Sequence, residues 1–412
     1  MQRRVVITGM GIWSCIGQNL KTVTESLRLG GSGIGVREER RQYGYHSLLT
    51  GLVPKPDLKG LLDRRQRNTL SEEAEYAYMA TCEALKNAGI DEIYCKNNEI
   101  GVVYGNDSSN QAVVDAYLRA REEQNTMMLG SGPAFRAMTS NVTSNLAVLF
   151  NFRGVNLSTA SACASSAQAI AIAAMFIKCG QADVIIAGGA QETNDISMIA
   201  FDGVNTLSKR NDNPTGASRP FDKRRDGLVP SGGAATLVLE EYGHAIARGA
   251  TIFAEIAGYG FSQNAAVLGQ PSVESECLAM SNALKNAEMS PCDINYINAH
   301  ATSTISGDMA EGLAIAGLFG EKTVSKIPYV SSTKSMTGHE CWMAGASEAV
   351  YSILMMQNGF VAPNINIEEP DDFAKVLNIV RQTIYQSLNT IMSNSFGFGG
   401  SNCSLIFKKY QL

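Results

Sequence analysis

The 412-residue chain is long enough for two domains, or two fused layers of structure, around large buried cores. Its 34 basic and 39 acidic residues leave a net charge of -5, and the short basic runs at 208–210 and 222–227 are too small for the cationic face of a nucleic-acid binder. No apolar run nears the roughly 18 unbroken residues of a membrane-spanning helix, so no membrane association is expected.

The chain opens as "MQRRVVITG", two arginines running straight into an apolar strand without the spacing of a signal peptide. The cytoplasm is the expected compartment. "TGMGIWSCIG" (8–17) begins like a dinucleotide loop, but Trp13 and Ser14 stand where the third glycine belongs. "CEALKNAGI" (82–90) ends a helix and precedes the apolar run "IGVVYG" (100–105). Further on, "NLSTASACASSAQ" (156–168) carries a strand past Ser158 and Thr159 to Cys163, then into a helix read over 163–178. "SGGAATLVLEEY" (231–242) reads as the next strand.

The chain then repeats itself. "SNALKNAEM" (281–289) and "INYINA" (294–299) echo 82–90 and 100–105, and "VSSTKSMTGHECWMAGASEAVYSILMMQNG" (330–359) echoes the Cys163 segment. "FGGSNCSLIFKKY" (398–410) echoes 231–242. Matched pairs in one order predict two copies of an α/β unit, residues 1–250 with Cys163 and residues 251–412 with His300 and His339. The helices 163–178 and 344–357 are apolar nearly all round, which predicts burial between sheets. Segments 106–150 and 183–230 have no evident partner in the second copy and are expected to form pocket walls or a subunit contact. Loops 158–163, 298–308, 331–345 and 395–402 should meet at the seam, where α/β proteins bind ligands.

Those loops carry chemistry. Cys163, hemmed in by Ala162, Ala164, Ser165 and Ser166, sits at a helix N-terminus, whose free N–H groups favour a thiolate. His300 ends a strand beside a hydroxyl-rich loop, and His339 opens the second central helix near the repeat counterpart of Cys163. At such a terminus an imidazole stays neutral and can donate. Lys334 lies five residues before His339, and Glu348 falls on the otherwise apolar helix, so a buried Lys334–Glu348 pair is expected. The odd count of nine cysteines includes no CxxC or CxxH pair, so reduced thiols are expected and no metal. Cys15, Cys82, Cys179, Cys277 and Cys403 read as small core residues, and His46 and His244 as structural or surface residues.

With "STASACASSA", "ASRPFDKRRDGLVPSGGAA", "NAHATSTISGD", "SSTKSMTGH" and "NSFGFGGSN" together, the chain resembles the β-ketoacyl-[acyl-carrier-protein] synthases, essentially end to end. Its likeness is greatest to the type I enzymes of dissociated bacterial fatty acid synthesis. The resemblance implies a thiolase-like fold, a duplicated layered α/β/α/β/α core, and a homodimer. It further implies that Cys163 is acylated, that His300 and His339 act on a malonyl thioester, and that Lys334 and Glu348 support them. Phe398 is implied as a gate whose N–H joins that of Cys163 in an oxyanion hole, within the loop of Gly399 and Gly400. Thr302 and Thr304 are implied to contact a pantetheine arm, with Asp308 a further member of the motif. The implied partner is acyl carrier protein bearing acyl or malonyl groups. No step calls for a cofactor, a metal or nucleic acid.

Two departures stand out. "GHECWMAG" puts Glu340, Cys341, Trp342 and Met343 where relatives are small, and "GNDSSNQ" (105–111) replaces a glycine-rich stretch that shapes the acyl pocket. They leave open a ketosynthase of a specialised polyene, dialkylresorcinol or polyketide-type pathway. A thiolase using coenzyme A thioesters would need a second cysteine near the C-terminus, where this loop offers Phe398 and Gly399. A non-catalytic chain-length partner subunit would lack the cysteine.

Overall fold

The computed structural model describes residues 3–265, 267–320 and 327–410. Eleven strands form the main sheet: β1 (Val5–Trp13), β2 (Ile100–Gly105), β3 (Asn156–Thr159), β4 (Val184–Gln191), β5 (Gly233–Glu241), β6 (Ala254–Gln263), β7 (Tyr296–Asn298), β8 (Tyr329–Ser331), β9 (Asn378–Ile379), β10 (Thr390–Phe396) and β11 (Ser401–Lys408). Their order across the sheet is β9-β8-β7-β10-β11-β6-β1-β5-β4-β2-β3. From the β1/β6 junction outward, each side repeats the same pairings: two antiparallel neighbours, then parallel ones. The junction itself is short, with Val6 opposite Glu255 and Ile7 opposite Ala254.

Among the described residues, the helices that bear on the site are α1 (Glu72–Ala88), α2 (Asn110–Glu123), α3 (Asn141–Phe150), α4 (Ser165–Lys178), α5 (Val273–Ala287), α6 (Ile305–Phe319) and α7 (Ala344–Asn358). Helices α4 and α7 pack against each other and against strands of both halves, in one core with β1, β5 and β11. Every residue of α7 from Ala344 to Met356 is buried, which explains a helix with no polar face. Outside lie α1 on the first half and α5 with α6 on the second. Outer helix, one half of the sheet, the α4–α7 pair, the other half of the sheet and outer helices make five layers. Among the described residues no helix is long and apolar enough to cross a membrane.

The glycines of "TGMG" have a mechanical purpose. A Cβ on Gly9 would lie 2.4 Å from the Ala84 carbonyl of α1, and one on Gly11 would lie 2.0 Å from that of Ala80. Gly258 and Gly260 of β6 meet Ala283 and Ala279 of α5 in the same way. Each half seats an alanine-faced helix directly on a glycine-bearing strand.

Three sequence expectations need correction. Residues 184–191 are a core strand, matched across the junction by β10, so the unpartnered stretch begins only after Gln191. Between β2 and β3 the chain carries α2 and α3, and between β7 and β8 it carries α6, so 106–150 has a partial counterpart. Cys179, read as a core residue, is exposed at the C-terminus of α4.

Candidate active site

Cys163 stands in the middle of a single turn, Ala162–Ala164, between β3 and α4. Hydrogen bonds hold that turn from both sides. Ser165 Oγ donates to the Ala162 carbonyl at 2.6 Å, the Ser161 N–H donates to Ser165 Oγ at 2.8 Å, and Thr159 Oγ1 donates to the Ser165 carbonyl at 2.8 Å. Ala162 has φ +47°, a strained value for alanine, and its N–H donates to Asp107 Oδ2 at 3.1 Å. The strain aims the thiol into the seam.

The second half presents the same turn. Cys341–Met343 precedes α7, and its first residue, Cys341, has φ +44°. Trp342 therefore occupies the place of Cys163, whereas the sequence pointed to His339. His339 comes three residues earlier and reaches back, so that its Nε2 lies 3.0 Å from Cys163 Sγ. Its backbone is clamped by Val229, whose carbonyl accepts from His339 N at 2.7 Å, and by Ser231 N, which donates to the His339 carbonyl at 2.8 Å.

His300 follows β7 and meets the His339 ring edge-on, 5.2 Å between centroids. Glu311 of α6 positions it, accepting from the N–H groups of His300 at 2.9 Å and Ala301 at 2.6 Å. Asn394 Nδ2 donates to the same carboxylate at 3.0 Å. Sequence reading missed Glu311; the signal was an acid one turn beyond Asp308 on an apolar helix. Asp308 itself accepts from Ser303 N at 3.0 Å and Phe221 N at 2.9 Å, with the Arg225 guanidinium 3.6 Å away. It ties the histidine loop to the 217–231 segment rather than facing the thiol.

Lys334 Nζ and Glu348 Oε1 form a direct contact, and each side chain is 1% exposed. Burial pushes the Glu348 carboxyl up to about 8 against the pull of the Lys334 ammonium. Burial, then the Lys334 charge, holds both imidazoles well below the usual histidine range. Burial also pushes the Cys163 thiol up to about 11, although the Phe398 N–H and Lys334 pull it down. The helix N-terminus thus does not win: desolvation exceeds its effect, and the site rests as neutral thiol beside neutral imidazoles.

Potential ligand atoms of Cys163, His300 and His339 all lie within 4.8 Å of one another. Two tetrahedral zinc ligands keep roughly 3.5 Å apart, so the 3.0 Å Sγ–Nε2 contact is that of a hydrogen bond. The three residues open onto a cleft of about 320 Å³ that Thr302, Thr304 and Phe398 also line. Thr302 and Thr304 touch through their hydroxyls at 3.1 Å. Phe398 is 41% exposed and stacks on Phe201, which also meets the Trp342 ring at a tilt. Behind Phe398, Gly399 and Gly400 turn the chain with φ +80° and +85°. His46 and His244 lie away from the cleft, against Asp202 and Glu240.

The sequence matches the family described as "Beta-ketoacyl synthase, N-terminal domain" over residues 2–245 and "Beta-ketoacyl synthase, C-terminal domain" over 253–368. It is 42% identical to 3-oxoacyl-[acyl-carrier-protein] synthase 1 of Escherichia coli K12, covering 99% of this chain and 100% of that one. A β-ketoacyl synthase structure from Burkholderia phymatum superposes with a TM-score of 0.94 at 35% identity, covering both chains completely. At 26% identity, a ketosynthase solved with its type II PKS acyl-carrier protein and bound to a hexaketide gives a TM-score of 0.89, again over both full chains.

Proposed function

Because the chain belongs to the β-ketoacyl synthase family, with that family's thiolase-like fold, we propose that it joins an acyl group held on Cys163 to the two-carbon unit of malonyl-acyl carrier protein, releasing carbon dioxide and giving 3-oxoacyl-acyl carrier protein in fatty acid elongation. The observation that carries this reading is the neutral cluster: a buried thiol in hydrogen-bond contact with one of two neutral imidazoles, on a cleft open to solvent.

In the first half-reaction the Cys163 sulfur attacks the acyl thioester, its proton leaves with the pantetheine thiol, and the acyl-enzyme remains. The N–H groups of Cys163 and Phe398 would hold the oxyanion. Malonyl-carrier protein then enters with its arm along Thr302 and Thr304. Breaking its carboxyl C–C bond releases carbon dioxide and leaves an enolate, to which His300 and His339 donate as neutral N–H groups. The enolate carbon attacks the acyl carbonyl, the carbon–sulfur bond breaks, and the departing Cys163 thiolate takes a proton from solvent to restore the resting thiol. Burial, with the Lys334 charge second, keeps both imidazoles neutral throughout. No step uses a cofactor.

The same reading makes the chain a cytoplasmic homodimer whose halves divide at 1–250 and 251–412, with acyl carrier protein as its partner. The test is product analysis with acyl- and malonyl-carrier proteins. Equimolar 3-oxoacyl product and carbon dioxide are expected, and turnover of coenzyme A thioesters alone would overturn the assignment.

A second reading, a ketosynthase of a specialised polyene, dialkylresorcinol or polyketide-type pathway, draws on Trp342. Its ring packs with Tyr45, Leu48, Met198 and Cys163, and its Nε1 donates to Ser108 Oγ at 3.4 Å, filling the space beside the nucleophile. Acyl-carrier proteins of graded chain length separate the two readings, since a specialised enzyme rejects ordinary saturated chains.

A further inference from the structure

Three buried carboxyls lie together beneath the His300 side of the cleft, and two have their partners. Glu311 takes the N–H groups of His300 and Ala301 and the amide of Asn394. Asp308 takes those of Ser303 and Phe221 beside Arg225. The third, Glu276 in the first turn of α5, is 2% exposed and lines the cleft, and its Oε2 has no partner among the described residues. A buried oxygen without a partner is destabilising unless something enters to satisfy it. The condensation steps above leave this group unused.

We propose that Glu276 binds the incoming thioester, donating its carboxylic proton to an amide carbonyl of the pantetheine arm. The inference rests on the function proposed above, because that function brings such an arm into this cleft. Glu276 must then be a donor, and its surroundings make it one. Burial, with Glu311 and Asp308 facing it from α6, pushes the carboxyl up to about 9, while the Ser272 N–H opposes them more weakly. Of the other titratable groups lining that cleft, His300, His339 and Cys163 carry no charge at neutral pH, and Asp226 is held by the Ser208 hydroxyl, the Lys209 N–H and Arg210. The group is protonated through the neutral range and loses its donor as pH rises through about 9. Because both half-reactions deliver a pantetheine thioester through one cleft, Glu276 should serve both. That separates it from the histidines, which act on the enolate.

The experiment compares malonyl-pantetheine with malonyl S-ethyl thioester, which has no amide, on the intact enzyme. Glu276→Ala should raise KM for malonyl-pantetheine about tenfold, the usual worth of one hydrogen bond, with kcat little changed. It should leave kcat/KM for the ethyl thioester at the wild-type value. Glu276→Gln keeps a neutral donor, so its KM should stay near wild type and flat with pH, whereas wild-type KM should climb above about pH 9. Alkylation of Cys163 by iodoacetamide at the wild-type rate shows that each variant is folded. An unchanged KM in Glu276→Ala, equal losses on both thioesters, or identical pH profiles for wild type and Glu276→Gln would overturn the inference. Wild-type enzyme that forms no condensation product would instead overturn the function on which it rests.

Discussion

A thiol and an imidazole at 3.0 Å can rest as an ion pair or as a neutral pair, and the choice sets how the nucleophile is awakened. Here both groups are buried and the Lys334 charge is nearby, so the imidazolium is disfavoured more than the thiolate is helped. The thiol then reacts only when the substrate arrives, which protects it from solvent electrophiles. Alkylation of Cys163 by iodoacetamide should rise steadily from about pH 7 to about pH 10, as expected for a thiol at about 11, and Cys163→Ala should remove it. A plateau near neutrality would reveal an ion pair instead. The same neutrality gives the histidines their role. His300→Ala and His339→Ala should each slow carbon dioxide release roughly a hundredfold, about 3 kcal/mol, by removing a donor from the enolate. Acyl transfer to Cys163, measured in a single turnover, should fall much less. Equal losses in both steps would make a histidine the activator of Cys163.

At the scale of elements, the two central helices and the turns that precede them organise the site, and only part of this was legible in sequence. The apolar stretches 163–178 and 344–357 announced α4 and α7, because a helix with no polar face must be enclosed. The correspondence of β1 with β6 and of β4 with β10 was harder to see, since the first pair shares only a Gly-x-Gly at 9–11 and 258–260 and the second is alike in register rather than in letters. Glu276 was missed because a buried acid is recognised by what surrounds it, and its neighbours Glu311 and Asp308 come from a distant segment, whereas Glu311 itself lay on an apolar helix and could have been found. Lys334 and Glu348 were within reach because a lone acid on an apolar helix demands a partner. Their contact links the Lys334–Thr337 turn to α7. Measured above about pH 8, where Glu348 is ionised, Lys334→Ala and Glu348→Gln should each cost about 3–5 kcal/mol, as breaking a buried pair does, and the double variant should cost less than their sum. A denaturant double-mutant cycle measures this. Coupling below about 0.5 kcal/mol would mean that two unrelated groups merely touch.

The whole molecule has one open edge next to its nucleophile. Among the described residues strand β3 ends the sheet with β2 as its single neighbour, and Leu157 on it is exposed. Such an edge invites another strand unless it is covered. The neighbouring segment adds apolar surface: Tyr117 and Leu118 on α2, then Met127, Met128 and Phe135, are all exposed. A run of large apolar side chains beside an open edge is the mark of a protein contact rather than of a solvated surface. A second copy of this chain could supply the missing strand across a two-fold axis, β3 to β3, since an isologous contact needs only one self-complementary patch. Sedimentation should therefore find a dimer, and Tyr117→Glu with Leu118→Lys should yield a folded monomer. Because β3 runs directly into the turn that holds Cys163, and Asp107 braces that turn through Ala162, the monomer should lose condensation activity at least tenfold while its far-UV spectrum stays native. A wild-type monomer, or a charged double variant that still dimerises, would place the subunit contact elsewhere and leave the β3 edge to some other cover.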